Sequence, residues 1–409
     1  MTQDATPAAG THRLTGEPSA GGLLTPARLI MAVFFLHAAG IANVWPRMPD
    51  LQAKLGIGPG ELSIAMLGLP VATVLAVPFA GTLIAKLGPR SILSVALPLT
   101  TLSLALPGWA FDVVSLFLAL FAIGLSYPVV DIAMNVEADR IERAGGRRIM
   151  STCHGCWSVG SVAGAGVATV FATQGVPTSW HLLAVAVALL PAAVLVPRAL
   201  PAVAGQVAPG RVVFTLPSKS ILGLCVFLAG MLMVEVAARN WGAVYVSDEL
   251  KGATVYAGLT YGAFALAMAV GRFGGDRVVE RFGPVPVARA SSLLAFAGLT
   301  LVVLAGSPVE VVIGFAAAGL GAATAFPLSA TAAAGRGDLP PAVNVAALQV
   351  IGVGAFLLTP PLIGTVAEFA GLRIGIAAVL PMVLVSALLA GELTRKGVPA
   401  TTIEGGERH

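Results

Sequence analysis

Charge is what this chain has least of. Only 11% of its 409 residues are Asp, Glu, Lys or Arg, while 57% are apolar. A soluble domain carries roughly 25% charged residues, so this chain cannot meet water on all sides. The net charge of +4 is scattered over short loops, and no nucleic-acid partner is expected. Cys153, Cys156 and Cys225 are an odd, sparse set, which excludes a disulfide framework. Residues 1–26 hold no apolar core of a signal peptide. There is no G-x-x-x-x-G-K-(S/T) loop, hence no built-in ATP-driven pump. Neither an H-E-x-x-H helix nor a G-x-S-x-G elbow occurs. The loops are too short for a soluble catalytic domain, so the chain is not expected to be an enzyme. No cofactor and no metal are expected. Cys153-His154-Gly155-Cys156 has C-x-x-C spacing, but without a second ligand cluster it reads as packing residues at a helix start.

What is abundant is apolar length. Twelve runs are long enough to cross a ~30 Å hydrocarbon core as helices. They cover 27–47, 60–84, 90–110, 113–136, 150–173, 178–198, 218–246, 252–275, 285–306, 309–333, 341–369 and 372–394. The expected fold class is an all-α membrane protein of two six-helix parallel repeats. Residues 27–198 would form one half and 218–394 the other. Residues 199–217, with Pro201, Gly205, Pro209 and Gly210, read as a linker, and 1–26 and 395–409 as tails. Lys and Arg crowd the loops on one side. The other side holds only Arg47, Lys54, Lys251 and Arg373. The positive-inside rule then puts both termini in the cytoplasm.

The two halves show as an echo. Ala85-Lys86-Leu87-Gly88-Pro89 recurs as Glu280-Arg281-Phe282-Gly283-Pro284, 195 residues on. Gly124-Leu125 and Gly319-Leu320 share that offset, and Trp45 and Trp241 are one residue off it. Parallel copies of this size in an apolar chain suggest a transporter whose halves are related by an axis along the membrane normal.

These phrases resemble the major facilitator superfamily, whose loop after helix 2 reads G-x-x-x-D-(R/K)-x-G-(R/K)-(R/K). Here Gly81, Lys86, Gly88 and Arg90 fit, but Ala85 replaces the acid. The second copy has Asp276, Arg277, Glu280, Arg281 and Gly283. The resemblance implies a charged inner gate, leaning on the C-terminal half, with Asn135 beside it. Asp131-Ile132-Ala133-Met134-Asn135, His154 and the stretch Glu235 to Trp241 resemble the bacterial fucose-permease-like branch. Drug exporters of the family usually carry G-P-x-x-G-G in helix 5. Here 160–166 reads Gly-Ser-Val-Ala-Gly-Ala-Gly, without the proline.

An ionisable residue inside a span needs a reason. Glu235 lies near the middle of the seventh segment, and Arg239 one turn on, where the two could pair. Glu235 reads either as a proton-coupling carboxylate or as half of a static ion pair, and Arg239 and Trp241 of the same segment are candidate solute contacts. Asp131, four residues before Asn135, is the second proton candidate, or else part of the inner gate. His37 and Asn43 in the first segment, and His154 with its repeat partner Gln349, are candidate solute contacts or interhelical hydrogen-bonding residues. Of the aromatics Trp45, Tyr127, Trp241, Tyr256 and Tyr261, Tyr127 is the best cavity candidate and Tyr261 another. Trp45 and Trp241 are expected mainly at the outer aromatic belt.

The expected function is secondary transport of a small organic solute, sugar-like or a metabolite, by alternating access and coupled to protons. The expected partners are the solute, protons and the lipid bilayer of the inner membrane, with a monomer as the unit. The alternative is a proton-driven exporter of drugs or metabolites. A lipid-acting enzyme would need an interfacial catalytic constellation, and a sensor would need a signalling domain. Neither is visible in the sequence.

Overall fold

The computed structural model describes residues 25–201, 217–337, 339 and 341–394, without the side chains at 341, 342, 346 and 349. The expected linker and both tails therefore lie almost wholly outside the described residues. Among the described residues, twelve helices are long and apolar enough to cross a membrane. In chain order they are α1 (Pro26–Leu55), α2 (Pro59–Leu87), α3 (Pro89–Trp109), α4 (Val113–Gly145), α5 (Met150–Thr173), α6 (Thr178–Ala199), α7 (Leu222–Glu249), α8 (Thr254–Phe282), α9 (Pro284–Leu304), α10 (Pro308–Ala334), α11 (Val343–Ala370) and α12 (Leu372–Thr394). No strand occurs among the described residues.

Local sequence explains the helix ends. Proline opens α1, α2, α3, α9 and α10, where its missing N–H costs nothing. Gly88 and Gly283, the glycines of the echoed phrase, both stop a helix with φ near +80°, at 78° and 83°. A side chain is strained there, and glycine is not. Asp112 caps α4 through Ser115, and Ser307 caps α10 through Glu310. These two capping boxes also stand 195 residues apart. The Ser115 hydroxyl and N–H hold the Asp112 carboxyl below the ordinary carboxylate range.

The packing repeats too. Within the first half α1 lies on α5 and α6, α2 on α4, and α3 on α4 and α6. Within the second, α7 lies on α11 and α12, α8 on α10, and α9 on α10 and α12. Gly124 meets the carbonyl of Leu69 across α2–α4, and Gly319 meets that of Phe264 across α8–α10. A Cβ at either glycine would collide with backbone, so both positions need glycine. Between halves the large contacts are α2 with α11 and α5 with α8. Adding six to one pair gives the other, as a two-fold axis along the bundle requires.

Large apolar side chains such as Phe79, Phe111, Val167, Leu195, Phe273 and Phe369 remain exposed around the bundle. A soluble protein would bury them; a lipid solvent does not require it. α1 and α7 run past the expected ends. α1 tightens into a 3₁₀ turn at Trp45–Arg47 and resumes over Met48–Leu55. α7 widens into π turns at Ala237–Trp241 and Tyr245–Glu249. Such turns inside a helix often mark functional sites.

Candidate functional site

The helices bring a small set of polar and aromatic side chains together at mid-height. His37 of α1 stacks on Tyr127 of α4, with ring centroids 4.3 Å apart and planes 26° apart. His37 is buried, and neither ring nitrogen has a hydrogen-bond partner. Asp131, Glu235, Arg239 and Tyr261 all lie within electrostatic reach of Tyr127. Glu235 is half-buried, midway along α7. It lines a narrow crevice with Trp157 and Ser158 of α5 and with Tyr261, Met268 and Arg272 of α8. Arg272 is exposed. It lies about three turns, ~16 Å, along α8 from Tyr261, toward the end of the bundle where the termini lie.

Arg239 and Glu235 do not pair. Among the described residues no ion pair joins them. Both α and π spacing leave the fourth residue on within about 40° of the face of Glu235, so the backbone alone does not separate the two. Arg239 turns to aromatic rings instead. Its guanidinium carbon stands 4.8 Å from the ring centre of Trp45, in the first half, and 4.6 Å from that of Phe356 on α11. Its Nε–H donates to Asn240 Oδ1 at 3.2 Å.

Trp45 and Trp241 are not belt residues. They are 4% and 0% exposed, because α1 continues ten residues beyond Trp45 and α7 eight beyond Trp241. Asn43 is drawn away from the central cluster. Its amide donates to the Ala39 carbonyl at 2.6 Å, and its Oδ1 lies 3.0 Å from His181 Nε2. His181 Nδ1 in turn faces Arg47, which also donates to the Val176 carbonyl at 2.7 Å and pairs with Asp50. This network fastens α1 to α6. His154 is exposed near the start of α5, edge-on to Phe34 at 5.3 Å. Gln349 falls on α11, and its side chain lies outside the described residues. Tyr256 and Tyr261 sit on α8, with Tyr261 buried and in reach of Ser161. Asn135 donates to the Asp131 carbonyl at 2.8 Å, and Glu137 behind it is buried against Arg140.

The two ends of the bundle differ. At the end away from the termini the halves are locked. The Gly60 N–H donates to Glu368 Oε2 at 2.9 Å. Gln52 lies beside Asp248, Gly364 lies on Ser63, and Gly258 lies on Thr169. At the terminal end, Lys86, Asp276, Arg277, Glu280 and Arg281 are exposed, with Gly81, Gly88, Arg90 and Gly283 partly so. No ion pair between described residues links the halves there. Arg90 donates to the Arg198 carbonyl within its own half at 2.6 Å, and Arg281 rests over Phe282.

Sequence reasoning did not find Phe356, Trp157, Arg272, His181, Glu368, Gly364 or Gly258. The repeat offset would have found the glycines: Ser63 maps to Gly258, and Thr169 to Gly364, each at 195. The crevice and aromatic contacts had no local signal, since they form between distant helices.

An uncharacterized transporter of Sinorhizobium fredii is 32% identical over 383 residues, covering 90% of this chain and 99% of its own. A mutant of the nucleoside transporter NupG superposes with a TM-score of 0.73 at 15% identity, over 90% of this chain and 99% of that one. The Escherichia coli fucose:proton symporter FucP superposes with 0.59 at 17% identity, over 91% and 99%. The Major Facilitator Superfamily model matches residues 30–337. Twelve spans, the doubled packing and the two-fold exchange of contacts between halves agree with that match, and the chain belongs to the Major Facilitator Superfamily of membrane transporters.

Proposed function

We propose that the chain carries a small organic solute across the inner membrane by alternating access, with uptake driven by protons. The observation that carries this is Glu235. It is a carboxylate at the midpoint of a span, lining a crevice, with no cation in ion-pair range among the described residues. A carboxylate held there without a fixed partner is costly unless it takes up a proton. Asp131, on the facing α4, is the second proton candidate. Two fold neighbours, a nucleoside transporter and a fucose:proton symporter, support the solute class and the coupling.

Residues 27–198 and 218–394 are the two rocking bodies, and a single chain is the transport unit. The termini face the cytoplasm, so the locked end is periplasmic and the structure faces inward. Lys86, Arg90, Asp276, Arg277, Glu280 and Arg281 would then meet when the carrier closes inward. A membrane-impermeant thiol reagent tests the orientation: labelling of a cysteine placed near residue 5 in intact cells would reverse it.

Proteoliposomes with an inside-alkaline gradient test the coupling, with a panel of neutral and acidic small organic solutes as probes. Wild type should accumulate solute until a protonophore is added. Glu235→Gln should still exchange solute but lose gradient-driven accumulation. A Glu235→Gln protein that accumulates like wild type removes Glu235 from the coupling.

A further inference from the structure

Arg239 carries a full charge inside a span, half-buried, with no carboxylate in contact. Two acids lie in the neighbourhood, Glu235 and Asp131, and neither binds it. A guanidinium has five N–H donors. The structure uses the Nε–H, on Asn240; among the described residues the Nη groups find no acceptor. Aromatic rings approach from both halves, Trp45 from the first and Phe356 from the second. Cation–π contacts soften the burial of a charge, but they satisfy no N–H. Nearby, His37 is buried, with both ring nitrogens unpartnered. The site thus holds an aromatic-walled cation with its forked donors unused. That is the arrangement that receives a planar oxyanion in bidentate fashion.

We propose that the transported solute carries an oxyanion, a carboxylate or phosphate, which Arg239 binds between Trp45 and Phe356. This deepens the transport reading above and rests on it. Because Trp45 and Phe356 belong to opposite halves, an anion held there would touch both rocking bodies at once. Glu235 remains the proton site. Lysine should not replace Arg239 well, since a point charge lacks the planar fork.

The test uses matched pairs: benzoate and benzamide, gluconate and glucose, uridine 5′-monophosphate and uridine. Binding to the purified full chain is read by thermal stabilisation and by tryptophan fluorescence, and transport by counterflow in liposomes. At least one acid should bind, and at least tenfold more tightly than its neutral partner. Arg239→Gln should weaken that acid at least tenfold, with Arg239→Lys in between. His181→Ala guards against a folding defect: it should lower the melting temperature while keeping the acid's affinity. The proposal is overturned if neutral partners bind as well as the acids, if no acid binds, or if Arg239→Gln keeps acid affinity within twofold. Neutral solutes that accumulate under the gradient, with Arg239→Gln unaffected, would sink this proposal and leave the transport reading standing. Should no member of any pair move, acid or neutral, the transport reading fails as well.

Discussion

Gly364 on α11 lies against Ser63 on α2 so closely that a Cβ on the glycine would collide with the serine side chain. The same contact recurs on the other side of the axis, where Gly258 of α8 meets Thr169 of α5. The first half gives both hydroxyl-bearing residues and the second half both glycines, at matching repeat positions. Two copies of one contact close one end of the bundle, which gives the end a fit that holds in one state and is released in the other.

Gly364→Leu should therefore prevent closure of that end. Spin labels at Lys54 and Lys251 should show a longer distance in the variant than in wild type, and transport should fall to background while the protein still folds. Gly258→Leu should act the same way. An unchanged distance with normal transport would mean that the contact is incidental.

Glu368 makes the lock chemical as well as steric, because its carboxylate caps the first turn of α2 across the two halves. Losing a cap of this kind costs about 0.5–2 kcal/mol. Glu368→Gln keeps an acceptor and Glu368→Ala does not. The alanine variant should shift the population toward the state open at this end, by roughly tenfold where the cost is near 1.4 kcal/mol, and the glutamine variant by less. The same label pair reads the shift. Equal populations in both variants would count against it.

The Arg47–His181–Asn43 network should matter for stability and not for solute choice. Removing one partner strands buried polar groups, at about 1–3 kcal/mol. His181→Ala should lower the melting temperature of the purified protein and leave the ranking of solutes intact. A changed ranking would bring Asn43 back into the solute site.

Gly124 and Gly319 offer a matched pair for the repeat itself. Each faces a backbone carbonyl, of Leu69 and of Phe264. Gly124→Val and Gly319→Val should both reduce folded yield, to a similar degree, because each forces apart the same helix pair in its own half. One tolerated and one ruinous substitution would mean that the halves are not equivalent in packing.

The doubling was legible in the sequence because glycine is required where the backbone turns left-handed, as at Gly88 and Gly283, and where backbone approaches backbone, as at Gly124 and Gly319. The spans were legible because lipid demands apolar length, and their ends fell within a few residues except where α1, α4, α7 and α8 continue beyond the apolar run. The site was legible only in outline. Glu235 and Arg239 stood out as charges in a span, but their relation did not, since the rings that Arg239 lies against come from distant helices. Trp45 read as a rim residue because the 3₁₀ turn at Trp45–Arg47 hides the continuation of α1 behind a proline and a charge. Phe356 was one apolar residue among many until α11 was folded against α7.

The account stands most directly on proton movement through Glu235. Proteoliposomes loaded with a pH-sensitive dye report whether adding solute outside acidifies the lumen, without an imposed gradient. Wild type should acidify the lumen in proportion to solute entry, and Glu235→Gln should admit solute with no acidification. Solute-evoked acidification of equal size in both proteins would contradict the account.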